Sequence, residues 1–176
     1  MALKIDCGCG SKVKRGFVGC DVRKQPGVKF VCDAWEIANH VELNSVDELY
    51  SRHMFEHLSF VNGKRTMSAW FDVLKPGGKL EVSMPDMHFH AVQYLEYYHN
   101  RKQKSRLGKG TEFGHALASL FGWQRQANKQ TWDIHKSGYD QLSLEALCNA
   151  VGFERFERTS DKVWNLRAVA YKPTAL

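Results

Sequence analysis

Three carboxylates, Asp6, Asp21 and Asp33, each stand at or just past the end of a short apolar run, and Gly8 and Gly10 follow the first of them. Residues 3–7, 17–20 and 28–32 read as buried strands. Without a Cβ, Gly8 and Gly10 let the backbone turn sharply and approach a ligand. Open α/β sheets bind ligands beyond the carboxyl ends of their strands, which is where these acids would sit. Acids on neighbouring strands beside one glycine turn suit a nucleoside, whose two ribose hydroxyls both need acceptors.

Other chemistries fit these residues less well. The dinucleotide fingerprint G-x-G-x-x-G requires glycine at position 13, where Val13 stands, and no Gly-Lys-Ser/Thr phosphate loop follows. Cys7, Cys9, Cys20 and Cys32 have irregular intervals and no C-x-x-C pair, so zinc is not expected among them. His53-x-x-Glu56-His57 spells the zinc-peptidase pattern H-x-x-E-H, which needs two imidazoles on one helical face and Glu56 as general base. However, His53 directly follows the strand-like run 46–51 and not the body of a long helix. A metallopeptidase is therefore kept as an alternative, and no metal is expected.

The 176 residues suffice for one core, and residues 1–176 are read as a single domain. A hydrophobic fraction of 43% with 12% aromatics excludes a disordered chain. No apolar run reaches the ~18–20 residues of a membrane span and no signal-peptide pattern opens the sequence, so a cytoplasmic protein is expected. Five cysteines, an odd number, fit reduced buried thiols better than a disulfide frame. The net charge of +6 is concentrated: residues 99–129 hold seven Lys or Arg and one acid, Glu112. With Gly108, Gly110, Gly114 and Gly122 among them, the stretch reads either as a solvated face or as a mobile lid whose field attracts an anionic small-molecule acceptor. Phe113, Phe121 and Trp123 interleave with the charges, which makes nucleic acid the weaker alternative partner, since no recognition module is evident. The sequence carries no mark of oligomeric state.

The elements that must position these residues follow from periodicity. Residues 60–74 form an amphipathic helix whose stripe of Phe60, Met67, Trp70, Phe71 and Leu74 is assigned to the core. Pro76-Gly77-Gly78 stops it before a fifth strand at 79–84. Helices at 87–99 and 142–151 and a terminal hairpin of 153–158 with 162–171 complete an α/β fold with a mostly parallel seven-stranded sheet. Ten residues separate Gly10 from Asp21, which leaves the first crossover a turn or two of helix at most.

Asp6-Cys7-Gly8-Cys9-Gly10, with an acid after the next strand, resembles the first motif of class I S-adenosylmethionine-dependent methyltransferases. Residues 74–80, Leu-Lys-Pro-Gly-Gly-Lys-Leu, resemble a second hallmark of that class, and residues 52–58 resemble the Ser-His-x-Leu-Glu-His-Leu segment of its type 11 group. Val151-Gly152-Phe153 is similar to its late Ala-Gly-Phe. The agreement covers residues 3–86 and weakens beyond. It implies a Rossmann-like methyltransferase fold with an antiparallel last strand and residues 87–141 as an inserted lid or acceptor region. It also implies S-adenosyl-L-methionine as cofactor and methyl transfer to an unidentified acceptor. Cofactor contacts would come from Asp6, Cys7, Gly8 and Gly10, from Asp21 and Val22, from Asp33 and Ala34, and from His53. Asp21 would meet the ribose, Asp33 the adenine amine and His53 the methionine side. The short first crossover departs from the family, which places a full helix there. The class shares no universal catalytic residue. His135 is the candidate base, Tyr139 the candidate for positioning the acceptor, and Asp86 a further acceptor contact. A cofactor-binding protein without turnover is the remaining alternative.

Overall fold

The leading apolar runs become β1 (Lys4–Cys7), β2 (Val18–Asp21) and β3 (Val28–Val31), paired in parallel. The structure is a computed structural model that describes residues 2–100, 112–124, 133–159 and 162–174. With β4 (Val46–Arg52), β5 (Leu74–Pro85), β6 (Glu154–Arg158) and β7 (Asn165–Tyr171), they make one seven-stranded sheet of order β3-β2-β1-β4-β5-β7-β6. The first five strands run parallel, while β7 is antiparallel to both β5 and β6. The expected α/β class, mixed sheet and terminal hairpin are all present.

One sheet face is the core. Ile5, Cys7, Cys20, Leu49, Leu80, Met84, Leu166 and Ala168 lie on it, each almost wholly buried. Two helices, α1 (Phe60–Val73) and α4 (Gln141–Val151), pack against each other here, with a 3-10 helix at Ala34–Asn39 beside α1. Ser59 caps α1 by accepting from the Asn62 N–H, and Met67, Trp70 and Val73 point inward. Phe60 does not join that stripe: it sits in the first turn, 61% exposed, with its ring edge to face on that of buried Tyr139. Asp140 and Ser143 form a reciprocal capping box on α4, and Gly152, at φ 112°, ends it in the left-handed region.

The opposite face carries charge. Lys4, Asp6, Glu48, Tyr50, Lys79, Glu81 and Arg167 project there by the alternation of strands β1, β4, β5 and β7. Glu48 lies 3.0 Å from Lys4 and 2.6 Å from Lys79, and Glu81 lies 2.6 Å from Arg167 and 3.3 Å from Lys79. Lys14 stands over the Tyr50 ring at 3.6 Å. Residues 8–17 and 22–27 cross between strands as turns without helix, shorter even than the turn or two expected. Both links lie flat on the sheet at Gly19, where a Cβ would stand 2.8 Å from the Gly27 carbonyl oxygen and 2.8 Å from Val13 Cγ2.

Strand β5 starts at Leu74, with no loop after α1, so Pro76-Gly77-Gly78 forms an irregularity inside the strand and not a stop before it. Gly77 N–H donates to the Lys172 carbonyl and Lys172 N–H to the Gly78 carbonyl, which holds that stretch against the end of β7. Between β5 and α4 come α2 (Met87–Asn100) and α3 (Glu112–Phe121), packed on one another. The sequence pattern gave no sign of α3. Most of the basic cluster, residues 101–109 with Arg125 and Lys129, lies outside the described residues. No helix among the described residues is long and apolar enough to cross a membrane.

Gly19→Ala should destabilise the fold by about 1–3 kcal/mol, because its methyl meets backbone that cannot yield. The reading is a lower urea midpoint at unchanged slope, and an unshifted midpoint would show slack between the links and the sheet. A second expectation concerns acid. Burial alone would raise the Glu48 and Glu81 carboxyls, but Lys79 and Lys4 around one, and Arg167, Lys14 and Lys79 around the other, hold both below the usual range. With folded values depressed, their contribution is present above the unfolded value of about 4.3 and lost as pH falls through the folded values. Thermal melts on descending pH should therefore show a loss that is shallower in the Glu48→Gln, Glu81→Gln double variant.

Candidate functional site

The strand order reverses between β1 and β4, and both strands end at the same edge. A cleft of about 530 Å³ opens there, at the switch point where open α/β sheets bind ligands. Gly8 (φ 71°) and Met54 close together across it, so tightly that a Cβ on residue 8 would fall 2.1 Å from Met54 Cγ. Asp21, Val22 and Arg23 from the end of β2 and Asp33, Ala34 and Trp35 after β3 form one wall. His53, Met54, His57, Leu58, Ser59 and Asn62 form the other, with Asp133 and Lys136 at the rim. A broader depression of about 710 Å³ runs along α1, lined by Trp35, Phe60, Arg65 and Asp72, but it gathers no glycine turn or strand-end acids.

Asp21 braces the cleft. Its Oδ2 accepts from Gly10 N–H at 2.9 Å, and its Oδ1 accepts from Arg23 N–H at 3.0 Å. Asp33 precedes the 3-10 helix at Ala34–Asn39 and makes no side-chain cap bond there. Burial and then Glu36 raise its pKa, against the pull of Arg65 and Lys136. Of the residues expected from sequence, Gly8, Asp21, Val22, Asp33, Ala34 and His53 line the cleft together. Asp6, Cys7 and Gly10 do not. Cys7 alternates into the core, and Asp6 faces the charged side, where its Oδ2 accepts from Lys14 N–H at 2.8 Å and burial raises its pKa. Gly10 lies behind the wall as donor to Asp21. Cys20 and Cys32 underlie the cleft with their sulfurs 3.7 Å apart, and that contact and burial push the Cys32 thiol far up. All five cysteines are free thiols.

The H-x-x-E-H letters do not form a helical face. His53, at φ 48°, follows the last residue of β4, and only Phe55–His57 make a 3-10 turn. His53 Nδ1 lies 3.2 Å from Glu56 Oε1, leaving Glu56 Oε2 buried with no hydrogen-bond partner among the described residues. The third party comes from far along the chain. His135 meets His57 edge to face, with ring centroids 4.9 Å apart. Its segment is fixed by Lys136 and Ser137 N–H groups, which both donate to the Glu56 carbonyl, and by the Gly122–Ile134 bridge. Burial lowers the His135 pKa. Tyr139 is placed otherwise than as an acceptor contact. It is 4% exposed, its ring packs on Phe55 and Phe60, and it meets α1 where Gly63 leaves room for its hydroxyl. Asp86 is likewise engaged, accepting from His88 and Phe89 N–H at the start of α2 and pairing with Arg158 at 2.6 Å.

Sequence reading missed Arg23, Ser59, Asn62, Asp133 and Lys136 as lining residues. Ser59 carried one usable signal, since a serine before an apolar helix marks an N-terminus, and β4 aims that terminus at the cleft.

No protein-family model matches the sequence, and no curated protein sequence matches it. Solved structures do match in fold. A S-adenosylmethionine-dependent methyltransferase from Methanosarcina mazei superposes with a TM-score of 0.61 at 15% identity, over 98% of this chain and 92% of that one. A protein from Bordetella parapertussis described as a possible exported protein gives 0.61 at 13% identity, over 98% of this chain. Phosphoethanolamine N-methyltransferase 2 of Haemonchus contortus, in complex with phosphomonomethylethanolamine and S-adenosylhomocysteine, gives 0.59 at 17% over 99% of this chain. This chain spans 62% of the Bordetella protein and 50% of the Haemonchus enzyme. In strand order and in these superpositions, the fold is that of the class I S-adenosylmethionine-dependent methyltransferases.

Proposed function

We propose that the chain binds S-adenosylmethionine in the cleft at the switch point and transfers its methyl group to an anionic small-molecule acceptor. The observation that carries this reading is the convergence on one cleft of the Gly8 turn, Asp21 and the Asp33–Ala34 pair. The residues fit the cofactor. Asp21 is held in place by Gly10 and Arg23: Oδ1 takes both the Arg23 N–H and its side-chain Nε at 3.4 Å, while Oδ2, engaged by Gly10 N–H, keeps a further acceptor direction for a ribose hydroxyl. Asp33 accepts from the adenine amine, with Ala34 and Trp35 as apolar walls, and His53 and Met54 flank the methionine end. The bound cofactor supplies a methyl group made electrophilic by its sulfonium. The chain has to align the acceptor with that methyl and exclude competing water.

Residues 87–141 are the acceptor region on this reading, because His135 and Lys136 come from it. The acceptor's proton is handled where Glu56, His57 and His135 meet. A net charge of +6, with Lys136 at the rim on the acceptor side, favours an anion. The Haemonchus enzyme, whose described ligand bears a phosphate, offers a parallel. Five free thiols suit a reducing, cytoplasmic setting.

Calorimetric titration should show S-adenosylmethionine and S-adenosylhomocysteine both binding. Each should also raise the melting temperature, by a stabilisation of about 2.7 kcal/mol at a hundredfold excess over Kd. No heat and no shift with either ligand would refute the proposal. Asp21→Asn keeps the side chain's size but removes its charge, and should weaken both ligands by roughly 10- to 100-fold. Saturating cofactor should restore most of the turnover, since nothing at the ribose changes during transfer. Unchanged affinity would confine Asp21 to bracing the glycine turn.

A further inference from the structure

Glu56, His57 and His135 each bring one potential ligand atom into a single cluster. A carbonyl oxygen only accepts, so the contacts of His57 Nδ1 with Ile134 O (3.0 Å) and of His135 Nδ1 with Ser119 O (2.7 Å) require a proton on each Nδ1. In the neutral ring, each Nε2 then carries a lone pair. An imidazole oriented by Nδ1–H on a backbone carbonyl is the usual outer-shell arrangement of a metal-bound histidine. Glu56 is 2% exposed, and its Oε2 is buried without a partner among the described residues, an expensive state for a carboxylate unless a cation meets it. One ligand atom from each of the three residues lies within 4.8 Å of the others. Ligands at ~2.0–2.1 Å from a tetrahedral ion stand about 3.4 Å apart, so rotations of the side chains close the gap.

We propose that Glu56, His57 and His135 bind a divalent cation of the zinc type, with an open coordination position toward the cleft. Two imidazoles and one carboxylate suit zinc, and not magnesium, which prefers oxygen ligands and keeps its water. His57 itself lines the cleft, so the open position faces the acceptor side. There the cation ligates the acceptor's hydroxyl or thiol and lowers its pKa, the proton leaving to bulk water. This role rests on the methyl-transfer reading, whereas the site stands on its own geometry. It is not the H-x-x-E-H peptidase site: Glu56 is a ligand and not a base, and His53 stays outside, on Glu56 Oε1.

The test is titration of chelator-treated full-length protein with Zn2+, Co2+ and Mg2+, without cofactor. One equivalent of Zn2+ should bind, Co2+ should bind with visible d–d absorption of low coordination number, and Mg2+ should give no comparable heat. Glu56→Gln and, independently, the half-buried His135→Ala should each weaken Zn2+ by more than the roughly 10- to 100-fold of an outer-shell change. His40→Ala, at an exposed site away from the cluster, should change nothing. Circular dichroism and melting show that each variant is folded. Absence of stoichiometric Zn2+, or equal loss in His40→Ala and His135→Ala, overturns the site. If Zn2+ binds as expected but neither cofactor form does, the site holds and its role at the acceptor falls. If cofactor binds and Zn2+ does not, methyl transfer holds and the metal site falls.

Discussion

The close approach of residue 8 to Met54 is the constraint on which the site depends. The ends of β1 and β4 can meet across the switch point only because residue 8 has no Cβ and adopts a positive φ. That contact fixes the floor of the cleft. The two walls follow from it: the ends of β2 and β3 lie on one side, and the 3-10 turn and N-terminus of α1 on the other. A side chain at residue 8 would separate the strand ends and with them the acids from the histidines.

The charged sheet face is a second solution to a structural problem. Parallel sheets are usually covered on both faces by their crossover helices, and their strands then read as continuous apolar runs. Here the first two links are too short to form helices, and strands β1, β4, β5 and β7 alternate apolar with charged residues. Acids at Glu48 and Glu81 lie beneath lysine and arginine side chains whose stems shield them. The face is thus compatible with water without a helical cover. Strand β6, with Glu154, Arg155, Glu157 and Arg158 along five residues, protects the sheet's edge by the same means.

The strand-end acids were legible in the sequence because they are local: an apolar run, an acid and a glycine within a few residues determine where a carboxylate lies. Strand alternation then decided what pattern alone could not. Cys7 and Asp6 belong to the right strand but face the core and the charged side, so neither reaches the cleft. Helix α3 escaped detection because its ten residues sit in a glycine-containing basic stretch that reads as loop. The Glu56, His57 and His135 cluster was hidden for a different reason. Its histidines are 78 residues apart in sequence, and the short pattern H-x-x-E-H pointed to His53 as the second imidazole. Tyr139, four residues after His135 in sequence, looked available for chemistry, yet the chain carries it into the core against Gly63.

Glu56 also has a mechanical part. Its backbone carbonyl receives the N–H groups of both Lys136 and Ser137, while its side chain faces the two imidazoles. The residue therefore joins the segment between α3 and α4 to the end of β4 by main chain and by side chain together. The backbone that carries Lys136 at the rim of the cleft is thus held by the same residue whose carboxylate stands beside the imidazoles. The rim that carries Lys136 and the wall formed by residues 53–62, contributed by distant parts of the chain, are in this way tied together through one amino acid.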